Sequence, residues 1–163
     1  MAGYGSNEGL EDWLTARGRT LPDGANSDVL RQLGSDYVDA TYADVWPGRP
    51  TGGVEQERAW PRTGAAANWQ TIGSDVIPLA IVNASYAAAW LESQRAGALA
   101  ASARGSGVVT REKIDVLERE YAEGSGNAIK DATTRFSEVE GLVKPYILPE
   151  TVVPLGVLSV GGC

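Results

Sequence analysis

The stretch IPLAIVNASYAAAWLESQ, residues 77–94, decides the fold of this chain. Its apolar stripe recurs at helical spacing, at Ile77, Ile81, Ala84, Ala88 and Leu91. The small residues in this stripe allow a second helix to approach closely, and Pro78 falls in a first turn, where a missing N–H is tolerated. We therefore predict a deeply buried helix that is capped by Ser74 or Asp75 and runs to about Ala100.

Three further helical patterns surround this central stretch. We predict a short helix around residues 10–14, a longer one from a cap at Asn26 or Ser27 to about Trp46, and a fourth over about 129–143, before Lys144-Pro145. Residues 108–122 are ambiguous, because their β-branched side chains favour two strands while Ile114, Leu117 and Tyr121 also fit a helix. The chain is expected to start with a flexible, glycine-rich segment.

A long connection between the second and third predicted helices, residues 47–75, is rich in Gly, Pro, Arg and Trp. Aromatic side chains are costly to leave in water, so we expect an ordered loop that packs on the helices. The stretch from Arg58 to Trp69 also mixes arginine with tryptophan, which is what binding to single-stranded DNA requires. Against DNA binding, Trp60-Pro61 is more typical of a packed corner.

The C-terminal sequence PYILPETVVPLGVLSVGGC, residues 145–163, alternates apolar residues with proline and glycine. These interruptions exclude a long helix, and the apolar side chains need a surface to cover them. Two interpretations stay open: the segment docks on a neighbouring molecule, or it folds back on its own helices.

Composition excludes much chemistry. The chain has no histidine and one cysteine, Cys163, so a Ser-His or Cys-His nucleophile, a disulfide and a cysteine metal cluster are excluded within it. The carboxylate pairs Glu118 with Glu120 and Asp36 with Asp39 are most simply solvated faces. We expect no catalytic residue, no metal site, no cofactor and no enzymatic activity. We also expect no signal peptide and no membrane segment, and the glycine pairs at 105–107 and 124–126 are expected to be hinges.

The net charge of −7 opposes general attraction to phosphate backbones. An acidic surface suits a protein past which DNA must move without sticking, although simple solubility explains the charge equally well.

The run QERAWPRTG, residues 56–64, resembles the Q-x-L-x-W-P-R-T-G signature of a family of short tailed-phage proteins from head-tail connector gene modules. These proteins are often described as DnaT-like single-stranded DNA-binding proteins, and they resemble the adaptor, or head completion, proteins that form a ring beneath the portal. The resemblance covers about residues 7–147. It includes TREKI at 110–114 and EYA at 120–122, which favours a β-hairpin at about 108–122. One departure is Arg58, where the family tends to have an apolar residue; we expect the corner to stay intact.

The resemblance implies a mainly α fold: a small bundle of about four helices with a β-hairpin insertion, then an extended C-terminal arm. We divide the chain into a helical adaptor domain, 1–147, and a docking arm, 148–163. Gln56, Trp60, Pro61 and Arg62 are the expected structural motif. The portal-binding residues of the arm are expected to be Val152, Val153, Leu155, Val157 and Leu158.

The implied role is that of a structural virion protein. About a dozen copies would form a ring on the portal, extend the DNA channel and join a further neck or tail completion protein. DNA would pass through without sequence-specific binding. The expected location is the head-tail neck of the virion, after assembly in the host cytoplasm, with no membrane contact. The alternative is a DnaT-like single-stranded DNA-binding replication protein.

Overall fold

A computed structural model describes residues 2–100, 111–114, 117–120 and 135–148. Within these ranges the chain forms four α-helices: α1 (Asn7–Thr15), α2 (Ser27–Thr41), α3 (Leu79–Gln94) and α4 (Ser137–Val143). Single 3-10 turns lie at Ala43–Val45, Gly53–Glu55 and Lys144–Tyr146. The predicted mainly α class with four helices is confirmed.

The helix pair α2 and α3 forms the centre of the structure. Its close packing depends on small residues, because a methyl group at Gly34 of α2 would collide with the main chain of α3 at Ser85 and Ala89. Most of α3 is buried, and α1 and α4 both pack against it. Aliphatic and aromatic side chains from all four helices share one core, among them Leu10, Val38, Ile81, Ala88, Leu91 and Val139. The predicted buried helix is therefore confirmed for Ile81, Ala84, Ala88 and Leu91 of the apolar stripe, whereas Ile77 lies before the helix and is 37% exposed.

The ends of three helices differ from the predicted ends. Helix α3 begins only at Leu79 with Pro78 in the cap position, because residues 73–76 close a separate turn in which the Val76 N–H donates to the Gly73 carbonyl. It ends at Gln94 rather than near Ala100, since Gly97 takes a positive φ of 80° and Glu92 accepts hydrogen bonds from the N–H groups that follow. The predicted cap and end of this helix are thus wrong.

The other two differences concern α2 and α4. The side chain of Asn26 caps α2 as one of the two predicted caps, accepting from the Val29 N–H at 3.2 Å, but the α-helix stops at Thr41 and a 3-10 turn leads to Trp46. Helix α4 begins at Ser137, because Phe136 belongs to a strand; its predicted start near residue 129 lies outside the described residues.

Short antiparallel strands complete the described fold. Two pairs lie between α2 and α3: β1 (Arg49–Pro50) with β2 (Arg62–Thr63), and β3 (Ala66–Ala67) with β4 (Gln70–Thr71). A third sheet contains β5 (Arg111–Ile114), β6 (Leu117–Glu120) and β7 (Arg135–Phe136). The β5–β6 pair confirms the hairpin predicted for about 108–122. The predicted hinges at 105–107 and 124–126 lie outside the described residues, as does the arm after Leu148.

Among the helices of the described ranges, each is too short or too polar to cross a bilayer.

Candidate functional site

The segment between α2 and α3, residues 42–78, is the α2–α3 connection. It packs on the helices as predicted, with Trp46, Trp60 and Ala65 buried. Two parts of it matter here. Residues 56–64 are the WPRTG corner, which includes the expected motif, and residues 65–72 are the β3–β4 hairpin.

Gln56 closes the loop that leads into the WPRTG corner. Its Oε1 accepts from the Gly52 N–H at 2.7 Å, and its Nε2 donates to the carbonyl oxygens of Arg58 (2.7 Å) and Pro61 (3.0 Å). One amide side chain therefore satisfies three main-chain groups on both sides of the turn, which a smaller or apolar residue cannot do.

Trp60 is the apolar anchor of the corner. Its side chain is 1% exposed, and its ring meets the edge of Trp46 with centroids 5.8 Å apart and planes at 83°. Trp46 in turn packs on Tyr42 at the end of α2. The peptide bond between Trp60 and Pro61 is cis. Because the indole is almost fully buried, it has no face to offer to a nucleic-acid base.

Arg62 holds the corner from the other side. It is almost fully buried and donates to the carbonyl oxygens of Pro47 (2.7 Å), Gly48 (2.9 Å) and Ala59 (3.0 Å). Burial lowers the pKa of this guanidinium below its ordinary value. The planar fork of arginine suits three carbonyls at fixed positions better than a lysine would. The structure thus brings together all four residues of the expected motif.

Arg58, the departure from the family pattern, binds two carboxylates of α2. Its Nη1 pairs with Asp36 and, at 3.5 Å, with Asp39, while its Nε donates to the Ala2 carbonyl at 3.0 Å. The corner is intact, as expected, because these acidic partners neutralise the added charge. The interpretation of Asp36 and Asp39 as a solvated pair is wrong for Asp39, whose side chain is only 16% exposed. Burial outweighs its hydrogen bonds and raises the pKa of Asp39.

Residues 2–6 form an ordered N-terminal strap across α2, which corrects the expectation of a flexible start. The Tyr4 N–H donates to Ser35 Oγ at 2.8 Å, and Arg31 donates to the carbonyl oxygens of Gly3, Tyr4 and Gly5. A methyl group at Gly3 or Gly5 would collide with α2 or with the Tyr86 side chain. Glycine is needed here for close approach, a use of glycine that composition alone does not separate from flexibility.

Tyr4 connects the strap to the WPRTG corner. Its hydroxyl donates to Asp39 Oδ1 at 2.6 Å and accepts from the Trp60 N–H at 3.1 Å. Burial, followed by the charge of Asp39, raises the pKa of this phenol, so that the hydroxyl stays protonated. The sequence carries one signal of this contact. Tyr4 lies between Gly3 and Gly5, and a large aromatic residue between two glycines indicates a backbone that packs closely against its neighbours.

Trp69 has the opposite environment to Trp60. It is 104% exposed at the tip of the β3–β4 hairpin, where Asn68 and Trp69 both have positive φ, 49° and 65°. Two positive φ angles define a type I′ turn, whose second position normally takes glycine. Of the four residues in the stretch proposed for DNA stacking, only Trp69 presents an exposed aromatic face; Arg58, Trp60 and Arg62 are used inside the protein.

Two further predictions concern a metal site and the portal-binding residues. Within the described ranges, no group of three or more His, Cys, Asp or Glu residues is placed to hold a metal ion. The expected portal-binding residues, Val152, Val153, Leu155, Val157 and Leu158, lie outside the described residues.

Comparison with known proteins gives one family. The family model described as "Putative DnaT-like ssDNA binding protein" matches residues 2–156. No curated protein and no solved structure matches the chain. Because the match spans the strap, all four helices, the WPRTG corner and the hairpins, the chain belongs to this DnaT-like family.

Proposed function

We propose that this chain is a non-enzymatic structural subunit that works through protein–protein contacts, as a head-to-tail adaptor in the neck of a tailed phage. One observation carries the proposal: Arg58 and Arg62 bind carboxylate and carbonyl oxygens of the protein itself, and Trp60 is buried against Trp46. The signature therefore builds a rigid corner, and it leaves neither arginine free to neutralise a phosphate.

Charge supports the same function. With a net charge of −7, the chain gains little from releasing the counterions of DNA, so its surface suits a channel wall better than a nucleic-acid clamp. As an adaptor it would form a ring of about a dozen copies on the portal. The residues Val152, Val153, Leu155, Val157 and Leu158 would contact the portal, and the opposite face would receive the next neck or tail protein.

Binding of single-stranded DNA is the second candidate. The description of the family favours it, and so does Trp69, an exposed indole on which a base could stack. A protein that acts in this way would need phosphate contacts from side chains other than Arg58 and Arg62, since the corner already binds both.

One pair of measurements separates the two functions. Fluorescence anisotropy with a labelled single-stranded oligonucleotide at low salt measures DNA affinity, with Trp69→Ala as the test variant. Native mass measurement with and without purified portal rings measures assembly. We expect weak DNA binding that Trp69→Ala does not change, together with ring formation on the portal. Tight binding that Trp69→Ala weakens, without assembly on the portal, would establish the DNA-binding function instead.

A further inference from the structure

The tip of the β3–β4 hairpin presents one large apolar side chain, Trp69, that no described residue covers. All five tryptophans of the chain lie in described residues, and four of them are at most 8% exposed, whereas Trp69 is fully exposed. Val54 and Leu79, at other points in or beside the same connection, are also largely exposed. Trp69 is the largest of the exposed apolar side chains, and a fully exposed indole is a candidate for a binding contact.

The backbone at the tip adds a second observation. A type I′ turn with tryptophan in its second position places a bulky residue in a conformation that costs it free energy. Burial of the indole would offset that cost, but no burial occurs within the described residues. The turn therefore holds Trp69 outward at a cost that a bound partner could offset.

The position where the described chain ends identifies the nearest candidate for that partner. The Leu148 N–H donates to the Val45 carbonyl at 2.7 Å, and the 3-10 turn Lys144–Tyr146 packs against β3. The residues after Leu148 therefore start next to the hairpin that carries Trp69. Leu148 is itself 52% exposed, so an apolar side chain is also exposed at the point where the segment departs.

The length and composition of residues 149–163 fit this surface. The sequence PETVVPLGVLSVGGC has no charged side chain after Glu150, and the hairpin sequence TGAAANWQTIGS, residues 63–74, has none at all. Two uncharged stretches in an acidic chain can meet without burying a charge. Val152 to Leu158 are four to ten residues beyond Leu148, within roughly 13–33 Å at about 3.3 Å per residue, which is ample for a hairpin with two-residue strands.

We propose that, in the isolated subunit, residues 152–158 of the same chain dock on the tip of the β3–β4 hairpin and cover Trp69. The contact goes beyond the adaptor function and does not depend on it. If the same residues also bind the portal, the portal must displace them from Trp69, so that assembly exposes the hairpin tip only where the partner is present.

Tryptophan fluorescence tests this contact in the full-length protein, because Trp69 is the one indole that the described residues do not bury. The test variant Leu155→Asp/Val157→Asp places two charges in the apolar segment, and the control Thr151→Asp/Ser159→Asp adds the same charge at polar positions. We expect acrylamide to quench the test variant more strongly than the wild type and the control, with an emission maximum shifted to the red. Introducing Trp69→Phe into the test variant is expected to remove this added quenching.

Three results would overturn the proposal. Equal quenching of the wild type and the test variant means that the segment does not cover Trp69. Added quenching that persists in the presence of Trp69→Phe means that the charges loosened the core. Protection that disappears when the wild type is diluted means that the segment of a second copy, and not that of the same chain, is the occupant.

Discussion

Trp60 and Trp69 belong to the same connection, but the structure uses them in opposite ways. Trp60 lies in the core against Trp46, and its main-chain N–H donates to the hydroxyl of Tyr4, whereas no described residue covers Trp69 on its two-residue turn. The difference shows that the arginine-tryptophan mixture of residues 58–69 is two features: a corner that stabilises the fold and a hairpin tip that presents an indole to a further binding segment.

The largest expected effect tests the corner. Trp60→Ala removes a fully buried indole, and we expect the free energy of unfolding to fall by about 4 kcal/mol, measured by urea denaturation. Removal of the partner ring in Trp46→Ala should destabilise the protein by a comparable amount, because the two rings pack on each other. A loss below about 1 kcal/mol for Trp60→Ala would mean that the indole is loosely packed. The contrast between a stabilising Trp60 and an exposed Trp69 would then be wrong.

Arg62 gives the next effect. Arg62→Met keeps most of the side-chain volume but leaves the carbonyls of Pro47, Gly48 and Ala59 without their donor, so we expect a loss of about 3 kcal/mol. The matched control is Arg49→Met, the same change of charge on the exposed side of the neighbouring strand β1, for which we expect less than about 0.5 kcal/mol. Equal effects would mean that net charge, and not the three hydrogen bonds, accounts for the loss.

The tyrosine of the strap comes third. Tyr4→Phe deletes the hydroxyl that accepts from the Trp60 N–H and donates to Asp39, and we expect a loss of about 2 kcal/mol. Tyr146→Phe, which deletes a hydroxyl in the 3-10 turn after α4, is the control and should have a smaller effect. Amide hydrogen exchange at Trp60 should also become faster in Tyr4→Phe only. Unchanged exchange would show that the strap does not support the corner.

A pH dependence follows from Asp39. Its pKa is raised in the folded state, mainly by burial, so between its ordinary value of 3.8 and the raised value the folded protein binds more protons than the unfolded chain. Stability from this group is therefore present below pH 3.8 and decreases as pH rises through the raised pKa.

We expect the difference in unfolding free energy between the wild type and Asp39→Asn to change in that direction, with the wild type losing relative stability as pH rises through this window. Asp23→Asn, which removes an exposed carboxylate, is the control and should show no such trend. A relative gain for the wild type over the same window would mean that Arg58 dominates and that the pKa of Asp39 is lowered.

The smallest expected effect on stability is that of Trp69→Ala. No described residue packs on this side chain, and the proposed cover is one short segment, so we expect a loss of no more than about 1 kcal/mol, measured as for Trp60→Ala. In contrast, any binding activity of the hairpin tip should be reduced. The loss should disappear when Trp69→Ala is made in Leu155→Asp/Val157→Asp. A loss of the same size in both backgrounds would show that the C-terminal segment does not cover Trp69.

Much of the helical architecture could be predicted from the sequence. The apolar stripe of residues 77–94 predicted the buried helix, because a 3.6-residue period reports directly on which face is covered. The resemblance of residues 56–64 and 110–122 to one family predicted the corner and the β5–β6 hairpin. The start of α3 and the start of α4 were harder to predict from the sequence. A short turn at 73–76 and the strand at Phe136 interrupt the helical period at these two positions.

The sequence by itself determined that the chain has a mainly α core, that it lacks histidine and that its net charge is negative, because these follow from composition and from local periodicity. Only the tertiary structure decided that the Tyr4 hydroxyl forms hydrogen bonds with Asp39 and with the main chain of Trp60. It also decided that Arg58 and Arg62 bind groups inside the protein while Trp69 points outward. The physical reason is that the burial of a polar or aromatic side chain depends on partners distant in sequence, such as Tyr4 for Trp60 and Asp39 for Arg58, and a one-dimensional pattern does not encode those pairings.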